Sequence, residues 1–211
     1  MRLCVLDVDS TLITAEVIEL IAARAGTREM VADITERAMR GELDFSESLR
    51  ERVATLAGVP DTVFGEVLAE VSFTPGAPEL IAALQSRGWE VALVSGGFVE
   101  VVAPLAARLG ITRFRANRLE VENGVLTGRT TGLVVDRAVK AATLREFAAE
   151  VGCAMGDTVA IGDGANDLDM MAAAGLGIAW HAKPVVQEKA DYALNGPRLD
   201  AALDIILDRA S

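Results

Sequence analysis

Asp7 and Asp9 are two carboxylates two residues apart, directly after the short apolar run Leu3 to Leu6 and just before Ser10 and Thr11. The run reads as a buried strand, and on a strand that spacing puts both side chains on one face. A hydrophobic interior rejects such groups unless a cation or several donors meet them. An acidic pair at a strand end therefore suits a metal ion, a phosphate held through that metal, or both. Alone, it also describes a strand ending in an Asx turn with a Ser/Thr helix cap. A second acidic cluster tips the balance toward chemistry. Gly162, Asp163, Gly164, Ala165, Asn166 and Asp167 follow another apolar run, and a Ser95-Gly96-Gly97 turn and Lys140 lie between the two clusters.

The elements that must position these residues can be read from periodicity. Behind Thr11 the apolar spacing turns helical, and Gly26, Gly41 and Gly58 punctuate short helices over about 15–26, 27–40 and 45–57, with a fourth from Pro60 to about Val71. From Pro78 onward, helices alternate with apolar strands: a strand at 90–94, a helix from about 97, strands at about 113–116, 158–162 and 176–180, and a last short one at 191–194. That alternation predicts an α/β fold, a Rossmann-like doubly wound parallel sheet, with a small helical insert after the first strand. The interruption is 117–135, where Asn123-Gly124 between apolar pairs predicts a β-hairpin. In an open parallel sheet, ligands bind beyond the carboxyl ends of the strands. Asp7, Asp9, Ser95 and Asp163 all come at or just after such ends.

The 211 residues carry 31 acidic against 20 basic side chains, a formal charge of −11. This argues against nucleic acid or an anionic membrane as partner. Cys4 and Cys153 show no metal-ligand spacing and fit a reducing compartment. No leader precedes the first strand and no apolar run reaches membrane length, so a cytoplasmic location is expected. A homodimer is compatible with the sequence, which selects no oligomeric state.

Four blocks, Asp7 to Thr11, Ser95 to Gly97, Lys140, and Gly162 to Asp167, resemble the motifs of the haloacid dehalogenase superfamily of phosphohydrolases. Glu16, FSESLRERV at 45–53, VSGGF at 94–98 and ANRLEVENGVLTG at 116–128 resemble its phosphoserine phosphatase branch, and the likeness runs essentially end to end. The resemblance implies a core of residues 1–12 and 72–211 and a helical cap of 13–71. It also implies hydrolysis of O-phospho-L-serine with Mg2+, as the last step of serine biosynthesis. Asp7 would be the nucleophile, Asp9 the general acid and base, and Lys140 a fixed positive charge beside Asp7. Asp7, Asp163 and the Asp9 backbone carbonyl would hold the metal, with Asp167 supporting. Ser95 and the Gly96 and Gly97 amides suit the phosphate oxygens, as the opening of a helix, and Asn166 would contact the substrate. Glu16 would meet the substrate ammonium and Arg52 its carboxylate, between Met39 and Phe45 as apolar walls.

Each of these residues also has a plain structural explanation. Glu16 and Arg52 could be exposed helix charges, Met39 and Phe45 helix packing, Lys140 a surface lysine, and Asn166 a helix cap. The sole histidine, His181, is read as structural. A related chemistry would be hydrolysis of another small phosphomonoester, or phosphoryl transfer to an alcohol. A signalling receiver would also cluster Asp, Ser/Thr and Lys around magnesium, but lacks the helical insert. A dinucleotide site at Gly162 and Gly164 would aim Asp163 at the pyrophosphate.

Overall fold

The computed structural model describes residues 1–39 and 42–209, with the side chains at 38 and 39 set aside. β1 (Leu3–Leu6) leads through a turn into α1 (Val17–Ala25), α2 (Arg28–Met39), α3 (Phe45–Ala54) and α4 (Val63–Glu70). There follow α5 (Ala77–Gln85), β2 (Glu90–Phe98), α6 (Val99–Arg108), β3 (Arg113–Glu122), β4 (Val125–Thr131) and α7 (Arg137–Glu150). β5 (Thr158–Gly162), α8 (Leu168–Ala173), β6 (Leu176–Trp180), α9 (Pro184–Gln187), β7 (Tyr192–Leu194) and α10 (Ala202–Arg209) complete the chain.

The described strands form one seven-stranded sheet in the order β4-β3-β2-β1-β5-β6-β7, parallel except for β4. β1 lies at its centre and is buried on both faces, which explains an unbroken apolar run where a half-exposed strand would alternate. Cys4 and Leu6 face one side, with α5, α6 and α10; Leu3 and Val5 face the other, with α7 and α8. Leu6 pairs with Leu93 on one flank and Ile161 on the other. The residues that follow therefore leave the sheet at one level, and the chain turns to opposite sides from β1. This is the switch point at which open α/β sheets bind ligands.

Local signals set the elements that carry side chains to this edge. α3 starts at a capping box in which Glu47 N donates to Asp44 Oδ1 at 2.8 Å and Asp44 N donates to Glu47 Oε2 at 3.1 Å. Phe45, Leu49 and Arg52 then follow at helical spacing along one face. α7 is capped by Asp136, whose Oδ1 accepts from Val139 N at 2.9 Å, and this places Lys140 in the first turn.

Two boundaries differ from the pattern expected of the sequence. β2 runs on through Ser95, Gly96 and Gly97 to Phe98, and α6 begins only at Val99. Ser95-Gly96-Gly97 is thus the extended end of a strand and does not open a helix. Opposite it, β3 continues past 116 to Glu122, so the hairpin is built of 113–122 and 125–131. Val94 pairs with Arg115 and Phe98 with Asn117, leaving three β2 residues against Ala116 alone, a bulge that bends the strand end. Asn123 and Gly124 both take positive φ, the two-residue hairpin turn that the Asn-Gly pair announces. The hairpin then hydrogen-bonds to the segment after α3: Gly58 N to Leu126 O and Leu126 N to Val59 O, both at 2.8 Å.

Candidate active site

Asp7 N donates to Ile161 O at 2.9 Å, the last sheet bond before the chain lifts away. A wide turn over Val8–Leu12, closed by Ile13 N to Val8 O at 3.0 Å, carries Asp9 and Ser10 outward, with Ser10 in the left-handed region at φ 58°. An L-residue held there stores strain of about 1–3 kcal/mol, of the kind found at functional sites. Asp7 stays buried at the end of β1 and Asp9 is half-buried, its Oδ1 shut off from solvent and without a hydrogen-bond partner.

Beneath Asp7, Lys140 is fully buried and bridges two carboxylates, with Nζ 2.5 Å from Asp7 Oδ1 and 2.7 Å from Asp167 Oδ1. Asp167 is committed on both oxygens, since Oδ2 accepts from Gly164 N at 3.1 Å. A side chain at Gly162 would run into Asp167, so only glycine lets β5 pass so close. Thr11 Oγ1 donates to Asp163 Oδ1 at 3.3 Å and joins the first loop to the second acidic cluster.

Charge in this group is unbalanced. Asp7, Asp9, Asp163 and Asp167 face one lysine. Burial works against the Lys140 ammonium, but Asp167 and Asp7 outweigh it and raise its pKa. Burial lifts Asp7 well above the usual carboxylate range, with Lys140 pulling the other way, and lifts Asp9 likewise, with Glu16 adding to the rise. Asp163 is pushed up to about 7 by burial and by Asp167 and Glu16. Carboxylate oxygens of Asp7, Asp163 and Asp167 lie within 4.8 Å of one another. A surplus of hard oxygen donors, one of them unpartnered at Asp9, fits a divalent cation, and the cluster is able to bind one.

Above the carboxylates opens a cavity of about 130 Å³. Pockets for drug-sized ligands measure roughly 300–1,000 Å³, so this smaller space suits a compact molecule. The sheet side of the cavity contributes Asp7, Asp9, Gly96, Gly97, Asp163 and Asn166, and the helical side Glu16, Phe45 and Arg52. Glu16 accepts from Ser10 Oγ at 2.6 Å, and Arg52 Nε donates to Ser48 O at 3.2 Å. Burial lowers the Arg52 pKa, while Glu16, Asp9 and Glu19 hold the guanidinium charged. The Phe45 ring lies over Gly96, where a Cβ would meet its Cζ at 3.2 Å. Ser95 is buried and its Oγ accepts from Gly97 N at 2.8 Å.

Of the residues singled out in the sequence, these line the cavity, with Ser95, Lys140 and Asp167 behind it. The Met39 side chain lies outside the described residues. His181 lies elsewhere, bonded through Nε2 to Gly196 O at 2.7 Å, with its ring edge-on to Trp180. Sequence reasoning missed Thr11 and the apolar walls Ile18, Leu49 and Phe98. Leu49 was within reach, since it stands one turn from Phe45.

The sequence model of the haloacid dehalogenase-like hydrolases matches residues 4–172. The chain is 57% identical over 205 residues to a phosphoserine phosphatase of Streptomyces coelicolor, covering 97% of this chain and 50% of that protein. It thus spans about half the length of that relative. It is 52% identical over 204 residues to a phosphoserine phosphatase of Streptococcus thermophilus, covering 97% of this chain and 95% of that one. A solved structure described as a phospho-aspartyl intermediate analogue of phosphoserine phosphatase superposes with a TM-score of 0.91 at 42% identity, over 97% of this chain and 98% of that one.

Proposed function

The chain belongs to the haloacid dehalogenase-like hydrolase family, and we propose that it hydrolyses O-phospho-L-serine to L-serine and phosphate, as the last step of serine biosynthesis. One observation carries this reading: carboxylates suited to phosphoryl chemistry and a Glu16–Arg52 pair face each other across one small cavity. Phosphoserine bears a phosphate, an ammonium and a carboxylate within a few bonds. The phosphate would meet the strand ends, the ammonium Glu16, and the carboxylate the fork of Arg52. Phe45 would wall the carbon skeleton. The names of the relatives and the phospho-aspartyl analogue support the same assignment.

In this account Lys140 orients the Asp7 carboxylate through Oδ1, and a carboxylate oxygen of Asp7 attacks phosphorus in line. The P–O bond to serine breaks as the aspartyl-phosphate forms, and Asp9 gives its proton to the leaving oxygen. Burial supports that role, because it raises the Asp9 pKa and so favours the protonated carboxyl that a general acid needs. Asp9 then takes a proton from the water that attacks phosphorus and frees Asp7. Ser95 and the Gly96 and Gly97 amides would bind phosphate oxygens, and Asn166 the substrate rim. Mg2+ would be held by Asp7, Asp163 and the Asp9 carbonyl, and it supplies charge neutralisation for the phosphoryl oxygens. Asp167, with both oxygens engaged, would brace Lys140.

We assign residues 13–71 to a cap that reads the substrate, and 1–12 with 72–211 to the core that does the chemistry. A cytoplasmic location accords with two buried, unpaired cysteines, and no described helix is long and apolar enough to cross a membrane. The test is release of phosphate from phosphoserine, phosphothreonine and sugar phosphates, with and without Mg2+. Preference for phosphoserine, lost in excess chelator, is the expected result. Preference for a sugar phosphate would remove the assignment.

A further inference from the structure

Asn117 has no part in the chemistry above, yet both ends of its buried amide are bonded. Nδ2 donates to Gly96 O at 2.8 Å, and Oδ1 accepts from Val135 N at 2.7 Å. It stands where β2 and β3 resume pairing after the Ser95–Gly97 bulge. Backbone groups lose ladder partners across a bulge, and the Asn117 side chain replaces one for the Gly96 carbonyl.

The consequence lies in a single peptide plane. A trans peptide is flat, with its C=O and N–H pointing in opposite directions. The Gly96–Gly97 peptide is gripped at both ends, its carbonyl by Asn117 and its N–H by Ser95 Oγ at 2.8 Å. The Gly97 end lies beside the site, since a Cβ there would be 3.0 Å from Asp9 Oδ2 and 3.1 Å from Ser95 Oγ, and its N–H points at that same Ser95 Oγ. Glycine on both sides of the plane removes the steric bar to its rotation. A half-turn would aim a carbonyl oxygen at whatever anion Ser95 meets.

We propose that Asn117 is a positioning residue for phosphoryl transfer, which locks the Gly96–Gly97 peptide with its N–H toward the phosphate. Through Val135 it also ties this loop to the segment entering α7, five residues ahead of Lys140. The inference rests on reading Ser95–Gly97 as the phosphate-binding loop.

The experiment compares Asn117→Ala and Asn117→Asp with Leu119→Ala, a buried β3 position away from the cavity that controls for lost stability. Tungstate serves as the anion probe, and phosphoserine and p-nitrophenyl phosphate as substrates. Asn117→Ala should lower kcat on both substrates by about 10²-fold, the loss seen when an oxyanion donor is removed. The tungstate inhibition constant should rise about tenfold, the equivalent of one hydrogen bond. The preference between the two substrates should not change, because the loop meets only the phosphate. Asn117→Asp should lose at least as much despite its matching size, because its carboxylate accepts the N–H and favours the turned plane. Leu119→Ala should lower the melting temperature and keep kcat. Wild-type kcat and tungstate affinity in the Asn117 variants would overturn the proposal, as would equal losses in Leu119→Ala. Should Asn117→Ala fail to fold, Asn117→Ser carries the same comparison. A wild-type protein that binds tungstate and cleaves the aryl ester but not phosphoserine would sink the substrate assignment and leave the role of Asn117 standing.

Discussion

Lys140 Nζ stands 2.5 Å from Asp7 Oδ1, across 133 residues of sequence, with the lysine sealed from solvent and the aspartate nearly so. The contact closes a ring of β1, α7 and the loop after β5, because the same ammonium reaches Asp167. Desolvation takes back much of what such a buried pair gains, so its worth lies in orientation more than in stability. Removing one member is another matter, since it strands the others.

Lys140→Met leaves two buried carboxylates facing each other without their cation. Stability should fall by about 3–5 kcal/mol, as when a buried pair is broken, and turnover should vanish. Denaturant unfolding in chelator, beside a phosphate-release assay, checks both. Near wild-type stability together with activity would show that the lysine neither braces Asp7 nor balances its charge.

The acidic cluster predicts the sign of a pH effect on metal binding. Asp163 moves from 3.8 to about 7 on folding, chiefly through burial. Between those values the folded metal-free chain holds a proton that the unfolded chain has released, so its stability falls as pH rises through that window. A cation must displace the proton, so the rise in melting temperature with Mg2+ should be larger at about pH 8 than at about pH 5. Equal shifts at both pH values, or none at either, would contradict a metal site at Asp163.

Glu16 and Arg52 face the cavity from the helical side, while the groups assigned to chemistry lie on the sheet side. Glu16→Gln and Arg52→Ala should each raise KM for phosphoserine by roughly 10- to 150-fold, the loss of one charge-assisted contact. An aryl phosphate offers neither ammonium nor carboxylate, so its turnover should change little. If the ratio of the two efficiencies stays constant in both variants, the pair does not read the substrate.

Asp7, Asp9 and Asp163 are legible in the sequence because carboxylates after buried strands have few uses, and the parallel sheet brings those strand ends to one level. Lys140 is different. Nothing local distinguishes it from a surface lysine, and its burial comes from a ring that only the tertiary fold closes, so resemblance alone points to it. The true end of β2 is hidden because Gly96 and Gly97 break the apolar pattern at Val94, while pairing with β3 carries the strand to Phe98. Asn117 leaves a faint signal: it shares strand parity with Leu119, and both are buried. A polar amide in a core register is a hint of a backbone group needing a partner, but which group is visible only across the sheet.

The central claim is that phosphoserine passes its phosphoryl group to Asp7. Acid quench of the protein within its first turnovers on phosphoserine, followed by peptide mass mapping, tests this most directly. The account predicts one phosphoryl group on the peptide carrying Asp7, lost on borohydride treatment and absent from Asp7→Asn, which should also be inactive. A phosphoryl group mapped to another residue, or steady hydrolysis by verified Asp7→Asn protein, would contradict it.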